Sequence, residues 1–320
     1  EMKDKDLRDF LAISGVGEPY LSRATAYFRG GDWSAAGCNG ADHDTAGRFY
    51  DGANKDNREE HIALETLTKY LRIAEDQALA LEILELWRGH ARVPPQIRGD
   101  FHVHTEFSDG VDPTASLLRQ AKRLGYSWLA LCDHAPMKKH VYTMSPDRFF
   151  RRAEIAARIS ALTGVRAYQA IEADILQDGS LNIPPEVRGD LDFALASFHY
   201  RYPMSETKLL GLIESAFADD KVIGFAHPFF NLRPRQDDNL LVPILDLAER
   251  YRIAIEINLA PYFLRQNFYL VQLIQQRDLK VIFSTDAHLA GALALMRFAD
   301  IFLDGQLDDR VLNFQDRLAL

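Results

Sequence analysis

Apolar and polar positions follow two different rhythms along this chain, and the change comes near residue 95. Before it, from Leu7 to Phe28, apolar residues recur at helical spacing and are interrupted by Gly15-Val16-Gly17, which predicts a two-helix hairpin. From Glu59 to Arg88, periodic Leu, Ile and Ala residues predict one long amphipathic helix or two, ending near Gly89. Between them, residues 30–57 are rich in Gly, Asp and Ala with little periodicity, the pattern of a long loop or weakly ordered segment. Asp42, Asp44 and Gly47 stand there at spacings of a calcium loop, but the twelfth position is Ala53 where a bidentate Glu is needed, so no chemistry is assigned to it. Pro94-Pro95 then marks the expected boundary between a helical N-terminal region, 1–95, and a second unit, 96–320.

Beyond that boundary, short apolar runs alternate with helical stretches. The runs are Phe101–Val103, Trp128–Cys132, Val165–Ile171, Phe193–Phe198, Val222–Ala226, Ala254–Ile257 and Val281–Ser284. Helical patterns fall between them at Thr114–Leu124, Pro146–Leu162, Glu206–Ala218, Leu240–Tyr251 and Phe268–Gln276. Seven such βα units predict an α/β barrel, and in barrels of this kind the chemistry sits where the βα loops converge, at the C-terminal ends of the strands.

Composition narrows the picture. With 320 residues, 47% of them hydrophobic, the chain can build a large core. A net charge of -9 and a pI near 5.6 argue against a generic nucleic-acid-coating surface, although bound divalent metals would reverse the field locally. Cys38 and Cys132 belong to no C-x-x-C pair and cannot form a disulfide framework, so a reducing, cytoplasmic setting is expected. No uninterrupted apolar stretch approaches 18 residues, and no membrane partner is expected. A first residue of Glu1 is what a fragment or processed chain would show.

Potential ligands end nearly every apolar run: His102 and His104, Asp133-His134, Glu172, His199, His227, and Asp286-Ala287-His288. Residues i and i+2 of a strand face the same way, so His102 and His104 can grip one metal, and Asp286 and His288 can straddle two. One buried histidine alone is usually a hydrogen-bonded core residue. Stacking this many ionisable groups at one barrel end without a cation would cost several kcal/mol in desolvation and repulsion. Imidazoles mixed with a few carboxylates suit zinc, manganese or iron better than calcium or magnesium.

These residues resemble a known family, the polymerase and histidinol phosphatase (PHP) domain. The likeness covers roughly 97–300 and rests on Ile97-Arg98-Gly99-Asp100-Phe101-His102-Val103-His104-Thr105, Ser108-Asp109-Gly110, Glu172-Ala173-Asp174-Ile175-Leu176 with Asp178-Gly179-Ser180-Leu181, and Thr285-Asp286-Ala287-His288. These motifs look especially like the PHP domain of bacterial and archaeal family X DNA polymerases. The resemblance implies a distorted (β/α)7 TIM-like barrel with three divalent metal ions, here preceded by a small helical N-terminal region. It implies that His102, His104, Glu172 and Asp286 hold one metal, that Glu172 bridges to a second held by His199 and His227, and that Asp109, His134 and His288 hold the third. Two positions depart from the pattern: Cys132 stands where the family commonly has Thr, and Asp109 where histidinol phosphatases often have His. The second favours the polymerase-associated branch and adds a hard oxygen ligand that suits manganese. The polymerase itself is not expected in 95 N-terminal residues. Ser14-Gly15-Val16-Gly17 with Ala24 looks like a helix-hairpin-helix, for which DNA contact and plain helix packing are both open.

Three clustered metals suit hydrolysis of phosphate esters by a metal-activated hydroxide, with no Ser or Cys nucleophile; Cys132 reads as strand packing. Candidate phosphate-binding cations follow the ligand-bearing strands: Lys138, Lys139, Arg201, Arg233 and Arg235, with Arg201 and Arg233 preferred because guanidinium binds phosphate bidentately. The expected activity is hydrolysis of phosphomonoesters of small metabolites or nucleotides. Alternatives are a DNA-processing 3′-5′ exonuclease or 3′-end phosphatase, and a noncatalytic metal-stabilised binding module.

Overall fold

The computed structural model describes residues 2–18, 20–28, 66–67, 69–136, 143–199, 204–228, 240–303 and 307–318. The expected loop 30–57, Cys38 and all five candidate phosphate-binding cations, Lys138, Lys139, Arg201, Arg233 and Arg235, lie outside the described residues.

Seven parallel strands follow one another around a single sheet: β1 Gly99–Val103, β2 Trp128–His134, β3 Arg166–Asp174, β4 Phe193–Ser197, β5 Val222–Phe225, β6 Ala254–Asn258 and β7 Val281–Ser284. The sheet nearly closes on itself. Val103 bridges Ala287 in parallel fashion beyond the end of β7, and the His104 amide donates to Ala287 O at 2.9 Å. The result is the distorted seven-stranded α/β barrel expected from the sequence.

Three of the helices are started by side-chain caps. Here α1 is Asp4–Ala12, α2 Tyr20–Phe28, α3 Gln77–Gly89, α4 Thr114–Arg123, α5 Pro146–Thr163, α6 Glu206–Phe217, α7 Leu241–Tyr251 and α8 Leu264–Gln275. Ser145 caps α5 ahead of Pro146, Ser205 caps α6 through the Lys208 amide, and Asp76 accepts from the Leu79 amide at the start of α3. The stretch expected as one long helix or two is divided: 69–74 is helical, and α3 starts after the break at Glu75 and Asp76. Helix α8 begins four residues earlier than expected, because the 3₁₀ turn Pro261–Phe263 runs directly into it.

Strand alternation places the site. Side chains of one parity line the barrel, forming a cluster of Phe101, Trp128, Ala130, Cys132, Tyr168, Ala170, Phe193, Leu195, Ala226, Ala254 and Ile282. The other parity, including Leu129, Leu131, Ile171, Ala194, Ile255, Ile257 and Phe283, packs in the larger apolar core between strands and helices. Along the inward rows the chemistry changes from apolar to polar toward the C-terminal end: Trp128, Ala130, Cys132, His134 on β2; Tyr168, Ala170, Glu172, Asp174 on β3; Phe193, Leu195, Ser197 and then His199 on β4. The apolar half fills the barrel floor and the polar half lines its open end.

The N-terminal helices share the barrel's outer core. Trp87 packs on Phe298 with ring centroids 5.6 Å apart, the Arg297 guanidinium lies 3.6 Å over the Trp87 ring, and Phe10 meets Tyr70 at 5.7 Å. Phe298 belongs to the 3₁₀ segment Ala290–Ile301, which leaves β7 just after His288. The chain's C-terminal stretch closes the opposite end. Asn313 Nδ2 donates to Gly99 O and Phe283 O, both at 2.8 Å, and its Oδ1 accepts from the Phe283 amide at 2.7 Å, tying β1 to β7.

Candidate metal centre

Nine side chains, eight singled out at strand ends and Asp109 by the family resemblance, meet at the barrel's open end: His102, His104, Asp109, His134, Glu172, His199, His227, Asp286 and His288. They form four overlapping groups whose ligand atoms lie within 4.8 Å of one another: His104, Asp109, His134 and His288; His102, His104 and Asp286; His102, Glu172 and His227; His134, Glu172 and His199. Glu172 is the hub. Its Oε1 lies 2.6 Å from His227 Nε2 and 3.1 Å from His199 Nε2, and its Oε2 lies 3.0 Å from His134 Nδ1 and 3.3 Å from His102 Nε2. Asp109 forms a second hub, with Oδ2 3.1 Å from His288 Nε2 and 3.2 Å from His134 Nε2. Between the hubs, His104 Nε2 lies 3.0 Å from Asp286 Oδ1 and 3.1 Å from His102 Nε2.

Carboxylates and imidazoles of the cluster shift one another against the effect of burial. Burial would push the Glu172 carboxyl up, but His199, His102, His134 and His227 outweigh it and hold it well below the usual carboxylate range. Burial likewise opposes ionisation of Asp109 and Asp286, and the surrounding histidines again win. For His199, burial lowers the imidazole, yet Glu172 and Asp174 bring it up to about 9. His102 and His134 are raised in the same way against burial, by Glu172 with Asp286 and by Asp109 with Glu172 respectively.

These donors fit divalent metal. Nδ1 of His104 is buried and makes no hydrogen bond, although Asp109 Oδ1 is 3.0 Å away. A nitrogen and a carboxylate oxygen at that distance, but not aimed at each other, are arranged as two ligands facing a third atom. Several imidazoles also have their second nitrogen fixed. His102 Nδ1 meets Glu256 Oε1 at 2.8 Å, His199 Nδ1 meets Asp174 Oδ1 at 2.8 Å, and His288 Nδ1 meets Asp286 O at 2.8 Å. Such carboxylate or carbonyl partners leave the opposite ring nitrogen for metal.

One strand-end residue is not where the sequence suggested. Asp133, adjacent to His134, points to the other face of β2, away from the cluster. There its Oδ2 is 2.6 Å from Arg152 Nη1 of α5, and its oxygens accept from the Thr105 amide at 2.8 Å, Thr105 Oγ1 at 2.7 Å and Ser108 Oγ. Asp133 therefore anchors the loop that presents Asp109 instead of serving as a ligand. Gly110 completes that turn, because a Cβ there would lie 2.5 Å from His104 O. Asp100 plays the matching part at β7: it accepts from the Thr285 amide at 3.2 Å and from the His102 amide at 3.2 Å, and burial pushes its carboxyl up to about 7.

Sequence reading also missed Glu256 and Asn258, both buried on β6. They were obscured because the run Ala254–Ile257 was the one without a histidine or a recognised ligand after it; a carboxylate inside a predicted apolar strand was the available signal. Cys132 lies in the apolar barrel floor, where burial pushes its thiol well above its ordinary value and makes it inert as a nucleophile.

The description of the PHP domain family matches residues 100–260. The DNA polymerase/3′-5′ exonuclease PolX of Bacillus subtilis is 27% identical over 196 residues, which cover 60% of this chain and 34% of the polymerase. The probable phosphatase VPA1527 of Vibrio parahaemolyticus is 29% identical over 175 residues, covering 51% of this chain and 63% of that one. This chain thus spans about a third of the polymerase and somewhat less than two thirds of the Vibrio protein. Among solved structures, histidinol phosphate phosphatase from Lactococcus lactis, determined with zinc, L-histidinol and phosphate, aligns with a TM-score of 0.46 and 15% identity over 66% of this chain and 94% of that one. Because the family match runs from β1 to the loop after β6, about half of the chain, and takes in seven of the nine clustered residues, this protein belongs to the PHP domain family.

Proposed function

We propose that this protein is a metal-dependent phosphoesterase that hydrolyses phosphomonoesters of small metabolites or nucleotides. The observation that carries the reading is Glu172, whose two oxygens are approached by five imidazoles from β1, β2, β4 and β5, four of them at 3.3 Å or less. In the proposed assignment His102, His104, Glu172 and Asp286 hold one ion, Glu172 with His199 and His227 a second, and Asp109, His134 and His288 a third. The geometry supports most of this division. It also sets His104 beside the third group and gives His199 and His227 separate groupings that share Glu172. Zinc, manganese and iron all match the mixed nitrogen and oxygen donors. Divalent ions in such a cluster supply charge for the phosphate oxygens and acidify water toward neutrality. The protein's own part is to gather carboxylates and imidazoles in one buried site and to fix the imidazole orientations. The relatives named as probable phosphatases support the reaction class.

The barrel segment 96–320 is the catalytic unit in this reading, and residues 1–95 brace it. The monoester activity is preferred over DNA-end processing because the Ser14–Val16 part of the N-terminal hairpin turn faces inward, Gly17 alone of its glycines being exposed. Ser14 and Val16 are buried, the Gly15 amide donates to Ala12 O at 3.1 Å, and the Val16 amide donates to Ser14 Oγ at 3.2 Å. A turn that grips a DNA phosphate needs those amides pointing outward. No helix among the described residues is long and apolar enough to cross a membrane.

The test is a panel of phosphomonoesters, nucleotides and end-labelled DNA assayed with manganese and with zinc, alongside elemental analysis. Hydrolysis of monoesters that requires metal and is abolished by His102→Ala is expected. Unchanged turnover by metal-cleaned protein would sink the reading, and salt-sensitive DNA binding with release of 3′ mononucleotides would favour the DNA alternative.

A further inference from the structure

Six of the seven strands send at least one candidate ligand into the cluster, from their last residues or from the loop that follows. Strand β6 sends none. Its inward residues at that end are Glu256 and Asn258, two positions apart on one face and buried.

Both are engaged with candidate ligands from other strands. Glu256 Oε1 accepts from His102 Nδ1 at 2.8 Å and from Ser284 Oγ at 2.6 Å, while Oε2 accepts from the His227 amide. Asn258 Nδ2 donates to Asp286 Oδ2 at 3.2 Å, leaving Oδ1 of Asp286 toward His104 and His102. Asn258 is itself held in place, since its Oδ1 accepts from the Ala260 amide at 3.1 Å and its backbone carbonyl accepts from Asn267 Nδ2 at 2.7 Å.

The two ligands tethered by their backbone or carboxylate to β6 are also the two in the cluster with unfavourable backbone. His227 has φ +26° and Asp286 has φ +51°, a left-handed region that side-chain-bearing residues avoid at a cost on the order of 1–3 kcal/mol. Such conformations persist where neighbouring groups over-determine them.

We propose that β6 is the positioning strand of this centre: Glu256 fixes the orientation and tautomer of His102 and the strained backbone of His227, and Asn258 selects which oxygen of Asp286 faces the metals. Both are positioning residues and neither ligates. As a carboxylate accepting from three donors, Glu256 puts the His102 proton on Nδ1 and leaves Nε2 for metal. Its reach matters as well. His102 belongs to the groups containing Asp286 and Glu172, and His227 to the group on Glu172, so one buried side chain sets the geometry of neighbouring metals together. The inference rests on the metal-dependent reading above.

The experiment compares wild type, Glu256→Gln, Glu256→Ala, Asn258→Ala and Glu172→Gln. Zinc and manganese content and affinity are measured by elemental analysis and chelator competition, and the zinc-loaded, ¹⁵N-histidine-labelled proteins by NMR. Wild type is expected to show a slowly exchanging His102 Nδ1–H. Glu256→Ala is expected to lose that protection, so that the Nδ1–H exchanges rapidly with water, and to bind metal about 10–100-fold more weakly, as loss of an outer carboxylate typically does. Glu256→Gln is expected to fall between, because its amide oxygen can still accept from His102 while its NH₂ opposes the His227 amide; it carries the test if Glu256→Ala does not fold. In activity assays kcat is expected to fall more than KM rises. Wild-type metal affinity and an unchanged Nδ1–H in the folded Glu256 variants would overturn the inference alone. Failure of the wild-type protein to take up metal would overturn the functional reading and this inference with it.

Discussion

Gly15, in the turn between α1 and α2, packs against Gly291 with no room for a side chain on either: a Cβ on Gly15 would lie 2.5 Å from the Ala292 amide nitrogen, and one on Gly291 would lie 2.9 Å from Gly15 Cα. Gly15 also has φ +80°, which only glycine adopts without penalty. The contact joins the N-terminal hairpin to the segment that begins just after His288. Gly15→Ala is therefore expected to destabilise the protein by about 1–3 kcal/mol through backbone overpacking and strain. Urea denaturation monitored by tryptophan fluorescence would check it, and a neutral effect would mean that the two backbones are not in contact.

Removing residues 1–95 should expose a previously covered apolar face on the barrel. Phe298, Met296 and Leu293 are buried, and Trp87 with the Arg297 guanidinium covers part of that surface. The isolated 96–320 segment is expected to bind more hydrophobic dye and to melt at a lower temperature than the full chain. Loss of hydrolysis on truncation would then report a weakened barrel, and would not by itself indicate DNA handling. A segment as stable as the full chain would show that the N-terminal helices do not brace it.

Metal removal should lower stability, since ions that bind only the folded form stabilise it by mass action, by about 4 kcal/mol at a thousand times Kd. Treatment with a chelator is expected to lower the melting temperature, and readdition of zinc or manganese to restore it. In Glu172→Gln both responses should shrink, because the five imidazoles facing Glu172 lose the charge on which they converge. A melting temperature indifferent to chelation in wild type contradicts metal binding at this site.

Arg152 and Asp133 form a fully buried ion pair between α5 and β2, with Arg152 also donating to Ala170 O at 3.0 Å and Gln169 Oε1 at 3.2 Å. Truncating one partner strands the other's charge, so Arg152→Ala is expected to cost about 3–5 kcal/mol. The effect should extend to the site, because freed Asp133 no longer steadies the Thr105 to Asp109 loop. Equilibrium unfolding gives the first quantity and metal affinity the second; a cost below about 1 kcal/mol would show that the pair is exposed to water.

Much of this was legible in the sequence because it depends on local periodicity. Seven apolar runs predicted seven strands, and the observed strands begin and end within a few residues of them. The inward rows of β2, β3 and β4 change from apolar to polar along the strand, and the histidines and carboxylates of the cluster other than Asp109 could be picked out by their place at a run's end. Asp133 was misread for the same reason: its position along the chain resembles that of a ligand, and only the pleat of β2 turns it toward Arg152.

What the sequence by itself determined is the alternation of strands and helices and eight of the nine ionisable residues collected at one end, since both follow from side-chain type and a two-residue or helical repeat; Asp109 was marked only by the resemblance to the PHP domain family. What only the tertiary structure decided is which polar groups face the cluster and which serve it from behind. Glu256 and His102 are 154 residues apart and meet because the sheet curls until β6, β7 and β1 are neighbours. The inward placement of the hairpin turn against Gly291 likewise depends on the packing of α1 and α2 on the barrel. Local pattern specifies what each segment can offer; the closure of the barrel, a long-range event that brings distant strand ends within hydrogen-bonding distance, determines the partner each group receives.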